Sequence, residues 1–98
     1  MRMDNFRLVD QVVKPLLKQN GLKPYDIRVS QFQVRYTLDP SGARTDCGKD
    51  FMFKAMEECA RSIDNALGKE GLKVLTNDSE ESPWITIYDS PVGVESGS

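Results

Sequence analysis

Residues 50–69 read DFMFKAMEECARSIDNALGK. Apolar side chains stand at Met52, Phe53, Met56, Cys59, Ala60, Ile63, Ala66 and Leu67. Steps of three and four place them on one face of an α-helix. Lys54, Glu57, Glu58, Arg61, Asp64 and Asn65 fall on the opposite face. Asp50–Lys54, Lys54–Glu58 and Glu57–Arg61 are spaced i,i+4, as on a solvated helix surface. An apolar stripe of this length must be covered, so the rest of the chain is read as its cover.

Downstream, Gly68-Lys69-Glu70-Gly71 ends the helix, and Leu72–Thr76 reads as a short strand. Residues 77–83 form a polar, acidic loop. Its Asn77-Asp78-Ser79-Glu80-Glu81 run lacks the ligand spacing and glycine of a calcium loop. Trp84–Tyr88 is the last strand. Period two sets Ile85 and Ile87 on one side and Trp84, Thr86 and Tyr88 on the other.

Upstream, Asp4 is placed to cap a first helix running to about Asn20, with Phe6, Val9, Val13, Leu16 and Leu17 as its buried stripe. Pro15 predicts a kink or a second start near Lys14. Gly21-Leu22 predicts a left-handed cap with Leu22 folded back on the last turn. Tyr25–Leu38 reads as strand, with a change of phase. Tyr25, Ile27 and Val29 are apolar on odd positions, and Phe32, Val34, Tyr36 and Leu38 on even ones. One strand cannot keep a single buried face through that change. With neither Gly nor Asn for a tight turn, the expectation is a bulge at Ser30-Gln31. Asp39-Pro40-Ser41-Gly42 has turn chemistry. Ala43–Thr45 has room for a brief strand before Asp46 or Asp50 caps the central helix.

The expected fold is therefore α+β. Two helices pack on one face of a small, mainly antiparallel sheet, in order α-β-α-β-β, with an optional short strand at 43–45. Residues 1–89 are expected to form one domain, followed by a loose, Ser- and Gly-rich tail at 90–98. There is also an echo. Gly21-Leu22-Lys23 recurs as Gly71-Leu72-Lys73, an offset of 50. The same offset carries Phe6, Val9, Val13 and Leu17 onto Met56, Cys59, Ile63 and Leu67.

Composition narrows the function. The chain has 98 residues, is 39% hydrophobic and 29% charged, and carries a net charge of −2. That balance argues against a broad basic footprint for nucleic acid or anionic membrane. No apolar run reaches the length of a membrane span, and the first residues lack the apolar core of a signal peptide. A cytoplasmic location is expected. The chain has no histidine, which removes His-based acid–base and nucleophilic catalysis and Cys₂His₂ zinc sites. Its two cysteines, Cys47 and Cys59, would lie on the order of 15 Å apart along the helix, too far for a disulfide. Cys47, near Arg44 and Lys49 at a helix start, has the setting of an activated thiol but no base.

Gly42-Ala43-Arg44-Thr45-Asp46-Cys47-Gly48-Lys49-Asp50 approaches a P-loop. It fails on glycine spacing, and Asp50 stands where Ser or Thr would hold magnesium. What remains is an anion reading for Arg44, Lys49 and the helix N-terminus. Arg28 and Arg35, on the polar side of the long strand, offer a sheet surface for nucleic acid. Trp84 and Tyr88, with Thr86 between them, offer an aromatic surface or edge for a protein. With no cofactor motif and no metal-ligand constellation, the leading expectation is non-enzymatic. The protein is read as a regulator, inhibitor or assembly subunit that binds another protein, or a second copy of itself, through Trp84, Thr86 and Tyr88. Nucleic-acid binding through Arg28, Arg35, Arg44 and Lys49 is the second reading.

Overall fold

A computed structural model describes residues 3–30, 33–43, 46–79 and 81–89. In chain order these form α1 (Met3–Gln19), β1 (Pro24–Val29), β2 (Gln33–Leu38), a 3₁₀ turn (Pro40–Ala43), α2 (Asp46–Leu67), a second 3₁₀ turn (Gly68–Glu70), β3 (Leu72–Asn77) and β4 (Trp84–Asp89). The strands make one antiparallel sheet in the order β1-β2-β4-β3. Both helices pack on the same face of it, giving the expected α+β class.

The central helix buries the stripe its spacing dictates. Met56, Cys59, Ile63 and Leu67 are fully buried and Met52 nearly so. From α1, Val9, Val13 and Leu17 join them. The sheet contributes Val34, Tyr36 and Leu38 from β2, Ile85 and Ile87 from β4, each at alternate positions, and Leu72 from β3. The Tyr36 hydroxyl donates to Asp10 Oδ1 at 3.1 Å and so ties β2 to α1. Pro15 lies inside α1 without ending it.

The phase change at Ser30 is a chain reversal, where the sequence reading expected a bulge within one strand. β1 and β2 form a hairpin, and Ser30 N–H donates to the Gln33 carbonyl at 2.8 Å. Reversal solves the parity problem directly. Ile27 pairs with Tyr36 and Val29 with Val34, so the odd set of β1 and the even set of β2 share one face. The irregularity that does occur lies earlier, between Pro24 and Asp26, and leaves Tyr25 exposed. The optional strand at 43–45 is not formed at Ala43, which closes the first 3₁₀ turn. Gln31 and Phe32, residues 44–45 and the tail at 90–98 lie outside the described residues.

The echo in the sequence is a repeat in the topology. α1-β1-β2 and α2-β3-β4 follow the same path, and the halves meet where β2 pairs with β4. Val34 pairs with Ile87, Arg35 with Thr86 and Tyr36 with Ile85. That register is symmetric about the Arg35–Thr86 pair. Each helix is followed by a left-handed glycine, Gly21 at φ 71° and Gly71 at φ 81°. In the first half the cap is a Schellman motif: Leu22 N–H donates to the Leu17 carbonyl and Gly21 N–H to that of Lys18. Leu22 and Leu72 then both turn into the core.

Candidate binding face

Because α1 and α2 cover one face of the sheet, side chains of the opposite parity form the other face. Register sets them in rows. Asp26, Thr37, Trp84 and Asn77 make one row; Arg28, Arg35, Thr86 and Leu75 make the next; Gln33, Tyr88 and Lys73 make the third. Arg28 and Arg35, read from the sequence as a basic strand face, thus lie beside Trp84 and Tyr88, read as an aromatic surface. Two candidate sites become one.

β4 is an interior strand, flanked by β2 and β3. Trp84 and Tyr88 therefore occupy a face and not an edge, which corrects the edge alternative. Both are half-buried. The Arg35 guanidinium lies over the Trp84 ring, 4.3 Å from its centroid. Arg35 Nε also donates to Thr86 Oγ1 at 3.3 Å. Thr86 is only 2% exposed, so it cannot itself meet a partner; its hydroxyl positions Arg35. Arg28, well exposed, donates from Nε to Asp26 Oδ2 at 3.0 Å. Leu75, 53% exposed on β3, was not singled out from the sequence. The alternation of Leu72 and Val74 against Lys73 and Leu75 carries that signal.

Lys49 belongs elsewhere. It lies in the first turns of α2, on the helical side of the sheet. Gly48 lies within the helix and not in a loop ahead of it. Arg44 lies outside the described residues, as does the side chain of Cys47. Near this helix start, Gly48, Phe51, Met52 and Ala55 face Asn20, Gly21, Leu22 and Lys23 across an open cleft of about 480 Å³. Phe51, 77% exposed beside it, breaks the three-four spacing of the stripe and so projects outward.

Cys59 is a free thiol inside the core, and burial pushes it up to about 11. The β3–β4 turn is closed by Ser79 Oγ, which accepts from the Glu81 and Ser82 backbone N–H groups. Burial, then the charge of Glu57, raises the Asp78 carboxyl above its ordinary range. Among the described residues no group of three or more His, Cys, Asp or Glu side chains is placed to hold a metal. Nor is any helix among them long and apolar enough to cross a membrane.

Comparison with protein-family models, with curated proteins and with solved structures returns no match. The geometry of the face is what bears on function.

Proposed function

We propose that this chain is a non-enzymatic binding module whose open sheet face docks another protein. One observation carries the reading: Arg28, Arg35, Trp84, Tyr88 and Leu75 converge on the face that neither helix covers. Tryptophan, tyrosine and arginine are the side chains that dominate protein contacts energetically. Here they sit on a rigid sheet rather than on loops, so little ordering accompanies binding. Their surroundings are polar, as at the rim of an interface.

The experiment is affinity capture with the full chain as bait and Trp84→Ala and Tyr88→Ala as paired controls. Loss of the captured partner in both variants, with unchanged circular dichroism, supports the face. Capture that survives both substitutions removes it. Unfolding of Trp84→Ala would assign that ring to the core, and Tyr88→Ala then decides.

A second reading follows from the same rows. Aromatic rings on a central strand beside arginines can stack and hold single-stranded nucleic acid. A salt titration separates the two. Phosphate contacts make affinity fall steeply with salt, while an aromatic anchor responds weakly.

A further inference from the structure

We infer that the open face recognises an acidic segment of another protein, with Arg28 and Arg35 as the carboxylate receptor and Trp84, Tyr88 and Leu75 as its apolar floor. This rests on the docking reading above and names the partner's chemistry.

Arg28 and Arg35 are register partners on adjacent strands. Like charges directly opposite one another destabilise a sheet. Sequences break such local rules where function requires it. Asp26 offsets Arg28 in part, through the 3.0 Å contact. Arg35 has no carboxylate partner among the described residues. Its Nε is committed to Thr86 and its plane to Trp84, which orients the guanidinium without neutralising it. A carboxylate set between the two guanidinia relieves their repulsion and takes charge-assisted, bidentate hydrogen bonds from a prearranged donor.

The charge distribution says what bears that carboxylate. Among the described residues the face holds Arg28, Arg35 and Lys73 against Asp26, a net of +2. The whole chain is −2, so the remainder is −4. A short acidic segment senses only the local field, because salt screens beyond about 8 Å. A nucleic-acid strand carries its charge along its whole length, past Asp26 and toward Asp78 and Glu81 at the turn beyond Trp84, and it finds few cations to displace counterions. A second copy docked face to face would bring two identical, net-positive faces together. Charge complementarity therefore favours an acidic protein segment over either.

The test is selection of short random peptides displayed against the full chain, with the binders re-measured by the emission of Trp84, the sole tryptophan. Enrichment of Asp and Glu beside apolar residues is expected. Arg35→Gln should weaken those peptides about 10- to 100-fold, and Arg28→Gln by less. Added salt should weaken wild-type binding in the same direction. Salt needs no variant and keeps the test open should Arg35→Gln misfold. Enriched peptides that are neutral or basic, yet depend on Trp84, overturn the acidic partner and leave the docking face standing. No enrichment at all overturns both. An oligothymidylate that binds more tightly than the best peptide overturns the proposal in favour of nucleic acid. Dimerisation in sedimentation that Arg35→Glu abolishes overturns it in favour of a second copy.

Discussion

The Arg35 guanidinium is held over the Trp84 ring, 4.3 Å from its centroid, across the central strand pair β2–β4. One side of the only indole is thereby shielded from water by a charge. Removing the shield in Arg35→Ala should shift Trp84 emission to the red and raise its quenching by iodide. The stability cost should be modest, about 1–2 kcal/mol for a half-buried cation–π contact, offset in part by relief of the Arg28–Arg35 repulsion. Unchanged emission would mean that the stack does not persist in solution. A loss of several kcal/mol in urea unfolding would mean that Arg35 is structural.

Tyr36 to Asp10 is the polar tie between sheet and first helix, 3.1 Å from hydroxyl to carboxylate. Asp10 also pairs with Lys14 at 3.3 Å and keeps water access, so loss of the hydroxyl strands no buried charge. Tyr36→Phe should cost about 1–2 kcal/mol in urea unfolding. Burial first, then the charge and hydrogen bond of Asp10, raise the Tyr36 phenol well above its ordinary value near 10. A raised folded value gives a contribution that is complete below the unfolded pKa and is lost as pH rises above it. The wild type should therefore lose stability above about pH 10, and Tyr36→Phe should flatten that slope. Parallel slopes in the two proteins would discard the Tyr36 assignment.

The helices and their buried stripes were legible in residues such as Val9, Val13, Ile63 and Leu67, because the period of 3.6 leaves little choice of face. The glycine stops were legible for the same kind of reason: Gly21 and Gly71 follow the last apolar residue where a left-handed cap is needed. Strand pairing was not. Parity showed that Val29 and Val34 could not lie in one regular strand, but parity is the same for a bulge and a reversal. The reversal follows Ser30 without the usual Gly or Asn, and that absence pointed to the bulge. Placing β4 between β2 and β3 depends on pairing across some fifty residues, which no local pattern encodes. That is why Arg35 and Trp84 were read as parts of separate sites. The burial of Thr86 is not legible in strand parity, which puts it on the open face; its hydroxyl is bonded to Arg35, a residue 51 positions away.

Cys59 tests the core from inside α2. It is fully buried, and burial pushes its thiol to about 11 from an ordinary value of 9. Its contribution to stability is complete below that ordinary value and is lost as pH rises through about 11. Thiol reagents should reach it only through unfolding. With Cys47 replaced by serine, so that Cys59 alone reports, labelling should be slow in native buffer and fast in urea. Its native rate should match that of core amide exchange. Prompt labelling at neutral pH would show that the helix-to-sheet seam opens locally.

The twin caps give a test of the repeat that does not involve function. Gly21 and Gly71 sit at φ 71° and 81°, and a Cβ built at either meets nothing within 4 Å. Alanine at these sites is therefore opposed by the backbone alone, at about 1–2 kcal/mol for a left-handed residue. Gly21→Ala and Gly71→Ala should each cost that much in urea unfolding, and Asn at either site should cost less. The two sites end different helices in different halves, so the double variant should lose the sum to within about 0.5 kcal/mol. A Gly71→Ala cost near zero would mean that the second cap relaxes out of the left-handed region. In that event a left-handed glycine would be required in the first half alone, where it closes the Schellman motif, and not after the 3₁₀ turn that ends the second.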